Sequence, residues 1–411
     1  MAGIKNISEQ GSALITIIVA ITVTAALGGA IYSFVSTSTL TQIGAMDSTR
    51  AYYLAEAGGQ YAQKRLAAGA AAADLVHTYN LSDGTGFNLA VSTETSPGFY
   101  KYLITSKGMV NASVSRRVHY VMYLGDPNGV SIPFDADPGN HDALNPDNWN
   151  TVGKAKLDGS KLKLNDGDGN TQVSFDWSNQ DSTLPDLSGI WDRYGYLSYE
   201  VQLKVKLSTD NDIMSGISFR LDTNGNNDIT DDSFYGLSYL WCKDGHDLPG
   251  MCGSVSDKTY IILWRQAVDG TQTIIHKTPA ASVLSALVDG DKLKQNSTLI
   301  VRVLEQNNPT TGTRENLIYS FVADKDTYSK GTINWDYAAN FTAVPWGTSC
   351  ATDNACFGVD GSYFVVDQNL TTENFSTGRD EIGIHAFGNE KAEIRDMAIR
   401  FNFSNNQTVT Y

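Results

Sequence analysis

The chain has 411 residues, of which 41% are hydrophobic and 18% are charged, so it can form packed cores and is not intrinsically disordered as a whole. This length predicts two or three domains. The formal net charge of −15 argues against a nucleic-acid partner, because phosphate binding requires clustered lysine and arginine side chains.

A long apolar segment near the N-terminus predicts a membrane-spanning helix. Residues 12–35 read SALITIIVAITVTAALGGAIYSFV, and no charged side chain occurs between Gln10 and Met46. As a helix this stretch would extend roughly 36 Å, more than the ~30 Å hydrocarbon core of a bilayer. A cleaved secretory signal would have a shorter apolar core. A plain signal anchor fits the length but does not account for the flanking residues.

The helical pattern continues beyond the membrane, so that the predicted helix spans residues 12–69. Tyr53, Ala57 and Tyr61 recur every four residues, which predicts an apolar face on the second half of this helix. The glycine pairs at 28–29 and 58–59 are expected to loosen the helix at two points, because glycine is a poor helix former.

The residues that flank the apolar run resemble those of type IV prepilins. Glu9-Gln10-Gly11 stands directly before it, and prepilin peptidase cuts prepilins after such a glycine at the cytoplasmic face of the membrane. The stretch AYYLAEAGGQYA at residues 51–62 is similar to the helix of minor pilins of the PilX type. The resemblance implies a leader at 1–11, cleavage between Gly11 and Ser12, methylation of the new terminal amine, and packing of the helix against other pilins.

The resemblance also implies a position in the filament. Major pilins usually have glutamate at the fifth residue of the mature chain, where it offsets the terminal ammonium of a neighbour, since an unpaired charge in an apolar helix bundle is costly. Counted from Ser12, the fifth residue here is Thr16. A subunit without that carboxylate fits best at or near the filament tip, and a lateral or priming position is the alternative.

Three further regions follow the helix. Residues 70–125 alternate polar and apolar positions in FNLAVS, GFYKYLITS and VNASVSRRVHYVMYL, which predicts a small antiparallel sheet packed on the helix, as in PilX-type pilins. Residues 126–150 are rich in Gly, Pro, Asn and Asp and predict a linker. Residues 151–411 contain many short strand patterns and few helix patterns, which predicts a β-sandwich.

The order of these strands resembles the concanavalin A-like jelly roll, of the laminin-G and lectin type. The clearest part is GRDEIGIHAFGNEKAEIRDMAIRF at residues 378–401, where two neighbouring strands would close the domain. The expected fold class is therefore α+β, with a long N-terminal pilin helix and a small antiparallel sheet followed by a large all-β jelly-roll sandwich.

Oxygen-bearing side chains recur at alternate positions in DTNGNNDITDD, residues 222–232. Ca²⁺ takes about six to eight oxygen ligands, and the alternate positions match the start of an EF-hand loop. The sixth position is Asn227 instead of glycine and the twelfth is Ser233 instead of glutamate, which indicates a calcium-loop-like hairpin. A solvated acidic turn is the alternative. The predicted calcium ligands are Asp222, Asn224, Asn226, Asp228, Asp231 and Asp232.

The four cysteines form two closely spaced pairs, Cys242 with Cys252 and Cys350 with Cys356. Four cysteines allow three pairings, and closeness in sequence favours the two local disulfides. The alternative is zinc bound by Cys242, His246 and Cys252. The chain has no CxxC spacing, however, and an exported domain favours disulfides.

Enzyme activity is not predicted. A jelly-roll glycosidase needs two carboxylates about 5–9.5 Å apart, one on each side of the scissile bond. The predicted strands hold isolated acids, Glu200 and Glu305, and the pair Glu393 and Asp396, whose spacing of three would place them on opposite faces of a strand.

Two functions from different classes follow. The first is a minor pilin of a type IV pilus, or of a related pseudopilus, that presents a calcium-binding lectin-like sandwich for adhesion or surface recognition, with a glycan as one candidate ligand. Its precursor would be a single-pass inner-membrane protein with periplasmic or extracellular C-terminal domains. The alternative is a membrane-anchored extracytoplasmic protein that binds carbohydrate or another ligand and has no filament role. Exposed Trp241, Trp264 or Trp346 would favour sugar stacking, although tryptophans in a sandwich mostly fill its core.

Overall fold

A computed structural model describes most of the chain, and the chain separates into two compact units. One unit comprises Met1–Thr93, Tyr102–Met122 and Gln407–Tyr411, and the other comprises Glu94–Lys101 and Tyr123–Asn406. The residues that the structure describes are 5–81, 84–111, 114–126, 129–165, 169–175, 198–222, 229, 232–243, 248–254, 257–283, 288–293, 297–307, 314–323, 363–367, 381–402 and 407–410.

The described residues form one long helix, short helical turns and strands. The long helix α1 is Lys5–Ala67, and the turns are Ala72–Leu75, Pro249–Cys252 and Ala280–Val283. The strands are β1 Thr78–Asn80, β2 Thr85–Ser96, β3 Phe99–Val110, β4 Val114–Gly125, β5 Val130–Ile132, β6 Ala136–Asp137, β7 Asn140–Leu144, β8 Trp149–Val152, β9 Ala155–Asp158, β10 Lys161–Leu164, β11 Thr171–Phe175, β12 Ser198–Leu207, β13 Ile213–Asp222, β14 Ser233–Cys242, β15 Lys258–Gln266, β16 Gln272–Pro279, β17 Val288–Asp289, β18 Lys292–Leu293, β19 Ser297–Asn307, β20 Arg314–Ala323, β21 Tyr363–Asp367, β22 Glu381–Gly388, β23 Ala392–Asn402 and β24 Gln407–Thr410.

In the first unit, α1 is continuous through both glycine pairs, so the expected loosening is not observed as a break. The helix ends at a glycine. The N–H of Gly69, which has a φ of 85°, donates to the carbonyl of Leu66 at 2.9 Å, and the N–H of Ala70 donates to Arg65 at 2.9 Å. This pair of hydrogen bonds is a Schellman motif, which satisfies the last carbonyls of a helix and needs a residue in the left-handed conformation.

The sheet of the first unit has the order β1-β2-β3-β4-β24. The three long hairpin strands match the sheet predicted for residues 70–125, and the fifth strand comes from the far end of the chain. Gln407 lies opposite Met122 and Thr410 opposite His119, so β24 extends the small sheet. We had expected residues 151–411 to belong entirely to the sandwich. The alternation of a short strand is the same in any sheet, so its sequence does not specify which strand it pairs with.

The face of α1 that packs on this sheet is a stripe of small residues. Ala51, Ala55, Gly58, Gly59 and Ala62 are all buried, and their spacing of three or four residues places them on one side of the helix. The face predicted from the aromatic spacing was wrong. Tyr53 is 63% exposed, and Tyr61 is 38% exposed although its ring contacts those of Tyr79 and Phe87 in the sheet.

Glycines on both sides make this approach close. A side-chain carbon added to Gly59 would overlap the ring of Tyr120, and one added to Gly108 in β3 would overlap the backbone of Ala51. In contrast, nothing lies within 4 Å of a side-chain carbon placed on Gly28 or Gly29. The two glycine pairs therefore have different surroundings, and within the described residues of this chain only the second pair is in close contact with neighbouring side chains.

The second unit is a sandwich of two antiparallel sheets. Sheet I has the order β21-β20-β19-β12-β23-β10-β9, and β5 also pairs with β23. Sheet II has the order β16-β15-β14-β13-β22-β11-β8, and β6-β7 and β17-β18 form separate two-stranded ladders. These sheets confirm the predicted α+β class with a β-sandwich. Strands β5 to β7 lie in the stretch that we interpreted as a linker, and Met397 of β23 lies opposite Ile132 of β5.

The core between the sheets follows from strand alternation. In β12, Tyr199, Val201 and Leu203 are buried, and in β14 the hydroxyl of Tyr239 donates to the carbonyl of Thr298 in sheet I at 3.1 Å. This bond identifies the face of sheet II that points at sheet I. All ten residues of β14 are buried, so loops also cover the opposite face, called here the outer face of sheet II.

Candidate functional site

The predicted calcium segment connects β13 to β14. Asp222 is the last residue of β13, and Asp232, which is buried, directly precedes β14. The other predicted ligands, Asn224, Asn226, Asp228 and Asp231, lie outside the described residues. The described residues contain no group of three or more His, Cys, Asp or Glu side chains placed to hold a metal ion. Calcium binding by this segment stays a prediction.

A glutamine on β15 fixes the end of this segment to the sheet. The side-chain amide of Gln266 donates to the carbonyls of Ile229 at 2.6 Å and Asp232 at 3.0 Å, and Gln266 itself is buried. Ile229 is also buried in the apolar cluster that contains Phe234 and Trp264 on the outer face of sheet II. Ile229 and Asp232 are therefore both held against sheet II through their carbonyls, and Ile229 is also held by its buried side chain.

The second loop on this face is closed by a disulfide. Cys242 and Cys252 are joined, with an S–S distance of 2.12 Å and a Cα–Cα distance of 5.6 Å, as in the first of the two local pairings that we expected. A disulfide sulfur is not a thiolate, so this pair does not supply the zinc ligands of the alternative interpretation. His246, Cys350 and Cys356 lie outside the described residues.

Two charged side chains hold the disulfide loop in place. The carboxylate of Asp212 accepts hydrogen bonds from the backbone N–H of Lys243 at 2.6 Å and of Leu248 at 3.4 Å. The ammonium of Lys277 donates to the carbonyls of Met251 and Cys252 and lies 4.2 Å from the centre of the Tyr260 ring. Burial lowers the pKa of Lys277.

Beneath these loops lies a buried histidine network. His385 of β22 is fully buried, with Ser218 Oγ 2.8 Å from Nδ1 and Ser238 Oγ 2.7 Å from Nε2. The indole N–H of Trp264 donates to Ser238 Oγ at 2.9 Å. This leaves the Ser238 hydrogen for Nε2, so we assign the imidazole hydrogen to Nδ1, where it donates to Ser218.

The network keeps His385 uncharged. Burial lowers the pKa of His385 to about 3, because the surrounding medium disfavours the imidazolium. The rings of Phe234, Trp264 and Phe387 lie within 5.9 Å of the imidazole centre. The sequence did not indicate this network, since its four members come from four different strands. None of them belongs to a local motif that would predict a contact with the others.

The carboxylates of sheet I are held in ion pairs. Glu200 contacts Arg302 at 2.6 Å and Arg400 at 3.2 Å, while Lys204 lies 3.8 Å from Asp396. Glu393 contacts Arg395 at 2.6 Å. The side chain of Glu305 lies outside the described part of the chain.

The expectation that Glu393 and Asp396 face opposite sides of their strand was wrong. Glu393 is opposite Lys206 in the β12–β23 pairing, and a register shift between Leu203 and Val205 leaves Asp396 in contact with Lys204. Because Lys204 and Lys206 are two residues apart on one strand, both acids lie on the same face. A bulge of this kind reverses the alternation that the sequence predicts. Of the tryptophans considered for sugar stacking, Trp241 and Trp264 are buried, and Trp346 lies outside the described residues.

Within the described residues, one helix is long and apolar enough to cross a membrane, at Ala13–Ala67 of α1. Its apolar side chains are exposed, and its threonine hydroxyls donate to carbonyls four residues earlier, as for Thr22 to Ile18 at 2.8 Å and Thr24 to Ala20 at 2.7 Å. Such bonds satisfy polar groups inside hydrocarbon. Gly11, Ser12 and Thr16 all lie within α1.

No protein-family model matches the chain, and neither does any curated protein sequence. Solved structures similar to it include a legume lectin-like domain from Entamoeba histolytica, with a TM-score of 0.31 and 9% identity, covering 65% of this chain and 95% of that chain. Another is a xylan beta-1,4-xylosidase from Bacillus halodurans C-125, with a TM-score of 0.31 and 8% identity, covering 78% of this chain and 66% of that chain. At these TM-scores neither similarity indicates a ligand or an activity.

Proposed function

We propose that this chain is a minor pilin of a type IV pilus, or of a related pseudopilus, which presents its β-sandwich outside the cytoplasm to bind a surface ligand. The observation that carries this proposal is the contrast between the two halves of α1. The first half exposes apolar side chains such as Ile15, Ile21 and Ile31, whereas the second half packs a stripe of small residues on the small sheet. Such a helix suits a subunit that is held in the membrane and then transferred into a helical filament.

The proposal assigns a role to each part of the chain. Residues 1–11 are the leader that prepilin peptidase removes, and the new terminal amine of Ser12 is methylated. Thr16 supplies no carboxylate to a preceding neighbour, which favours a position at or near the tip. The sandwich binds its ligand without catalysis. The ion pairs of Glu200, Glu393 and Asp396 support this absence of catalysis, because each of these carboxylates is already committed to a basic partner.

The direct test is the N-terminus of the mature protein. We expect mass spectrometry of the full-length chain to find methylated Ser12 in cells with prepilin peptidase and Met1 in cells without it. Gly11→Val should block the cut, while the matched leader variant Gly3→Val should not. An intact Met1 in peptidase-containing cells, or a terminus near Ala30, would contradict the proposal.

A second candidate function is a membrane-anchored binding protein with no filament role. The exposed apolar half of α1, taken without the second half, favours it, because one span and one folded domain are sufficient for such a protein. The two candidates differ in their processing. A plain anchor keeps its leader in both strains and stays in the cell envelope.

A further inference from the structure

A pocket of about 450 Å³ lies at one end of sheet I, and of its lining residues only Lys206 and Glu393 belong to features described above. Its walls come from β10, from the end of β12 and the residues after it, from the β17–β18 hairpin, and from the start of β23 with the residue before it. Four lysines contribute to these walls, each from a different one of these elements. They are Lys163, Lys206, Lys292 and Lys391.

The lining is positively charged in a chain whose net charge is −15. The two acids of the lining are Asp210, which is exposed, and Glu393. Burial would raise the pKa of Glu393, but the hydrogen bond and charge of Arg395, together with Lys161 and Lys206, lower it overall. Glu393 is therefore ionised, and Arg395 at 2.6 Å and Lys161 at 3.6 Å offset its charge from outside the lining.

The lysines are not all committed to internal partners. Lys163 forms an ion pair with Asp158 at 2.6 Å. Lys206 and Lys292 form no salt bridge with any residue that the structure describes, and Lys292 is exposed. Within the described part of the chain, the ammonium groups of these two lysines, one from β12 and one from β18, are thus available to a bound anion.

The pocket is held by the backbone of the sandwich. Lys163 and Lys206 are both opposite Glu393, one on each neighbouring strand, so their positions are fixed by strand register. The N–H of Ser208 donates to the carbonyl of Lys391 at 2.9 Å. Thr259 Oγ donates to the carbonyl of Asp291 at 2.7 Å, which ties the β17–β18 hairpin to sheet II. The ligand would therefore meet a largely preformed site.

We propose that this pocket binds an acidic oligosaccharide, through two or more separated carboxylate or sulfate groups. Lysine ammonium groups are point charges without the planar fork by which arginine grips one phosphate or carboxylate, so four of them around an opening suit several separate anionic groups. The half-buried Leu293 offers apolar surface, and Ser208 and Thr209 offer hydroxyls, which match the apolar face and hydroxyls of a sugar ring. This inference rests on the ligand-binding part of the proposed function and is independent of the filament role.

The test is calorimetric titration of the full-length chain in detergent with trigalacturonate, which carries carboxylates, and with a chondroitin sulfate disaccharide, which carries sulfate. We expect at least one of the two to bind, with an affinity that falls as ionic strength rises. The variant Lys206→Gln/Lys292→Gln should lose about tenfold or more of that affinity, since it removes the two lysine charges of the lining that form no salt bridge among the described residues. The matched control Lys243→Gln/Lys258→Gln, on the sheet II side, should bind as the unaltered chain does.

Several outcomes would overturn the proposal. These are no binding of either acidic probe, equal binding of neutral maltotriose, binding of inorganic phosphate as strong as that of the acidic sugar, and no loss of affinity in Lys206→Gln/Lys292→Gln. An unchanged thermal transition in that variant shows that any loss comes from the pocket and not from unfolding. The processed N-terminus is measured separately, so failure here leaves the pilin proposal intact, and the reverse also holds.

Discussion

The helix–sheet interface of the first unit and the outer face of sheet II at β14 are both buried, but they are built in opposite ways. The first places Gly59 of the helix against the ring of Tyr120 and Gly108 of β3 against the backbone of Ala51, so that glycines make the close approach possible. The second covers a sheet with loops that are held by the Cys242–Cys252 disulfide and by polar side chains such as Gln266 and Asp212. The comparison indicates that the helix–sheet interface tolerates no added side-chain volume. The loops over sheet II depend instead on the disulfide and the hydrogen bonds that hold them in place.

The largest expected effect is the loss of stability of the second unit in acid, which comes from His385 on the outer face of sheet II. Because the folded-state pKa of His385 is about 3 and the ordinary value is 6.5, the unfolded chain takes up a proton that the folded chain does not. The stability contributed by neutral His385 is therefore complete above pH 6.5 and is lost as the pH falls towards 3. The loss reaches roughly 4–5 kcal/mol in total, of which about 2 kcal/mol occurs between pH 6.5 and 5.

This prediction is checked by chemical unfolding at several pH values, followed by tryptophan fluorescence. All tryptophans of the chain lie between residues 149 and 346, so this signal reports on the second unit. His385→Gln should flatten the slope between pH 6.5 and 5, and the matched variant His119→Gln, at an exposed position of β4, should leave it unchanged. A slope that persists in His385→Gln would show that another group titrates.

A somewhat smaller effect is expected at the first interface. Gly59→Leu forces a side chain into the ring of Tyr120 and should destabilise the first unit by about 3 kcal/mol. Hydrogen exchange of the β4 amides would measure the loss. The matched variant Gly29→Leu should have no such effect, because its surroundings are open. Equal exchange in the two variants would mean that the close approach does not contribute to stability.

Loss of the Cys242–Cys252 disulfide should lower the stability by slightly less than Gly59→Leu does. Replacing both cysteines, Cys242→Ser/Cys252→Ser, should destabilise the second unit by about 3 kcal/mol, the amount expected for a closed loop of this length. Urea unfolding followed by tryptophan fluorescence measures this change. An equal stability of the altered and unaltered chains would show that Asp212 and Lys277 hold the loop without the disulfide.

The smallest expected effect is that of calcium. If the segment at 222–232 binds Ca²⁺ only when folded, a hundredfold excess over Kd should stabilise the second unit by about 2.7 kcal/mol. Asp222→Ala/Asp228→Ala should abolish this gain in the thermal transition without unfolding the domain. A gain that survives both changes would place the ion elsewhere, and no gain at millimolar Ca²⁺ would favour the solvated turn.

Local patterns predicted much of this molecule. The apolar run of α1, the hairpin strands of the small sheet, the sandwich strands and the Cys242–Cys252 pair all follow from signals contained in one short stretch each. What the patterns missed depends on residues that meet only after folding. The buried face of α1 is set by glycines whose role appears only beside Tyr120, and the lysine pocket collects side chains from Lys163 to Lys391. Asp396 lies on the same face of β23 as Glu393 because of a bulge, and no residue pattern in the sequence indicates that bulge.

The central claim is that this chain is a filament subunit placed at or near the tip. Immunogold labelling of pili sheared from cells, with antibodies against the β-sandwich, tests it most directly. We expect gold at filament ends in cells with prepilin peptidase and none on material from cells without it. Label confined to the cell envelope would contradict the filament role, and label spread evenly along the shaft would contradict the tip position.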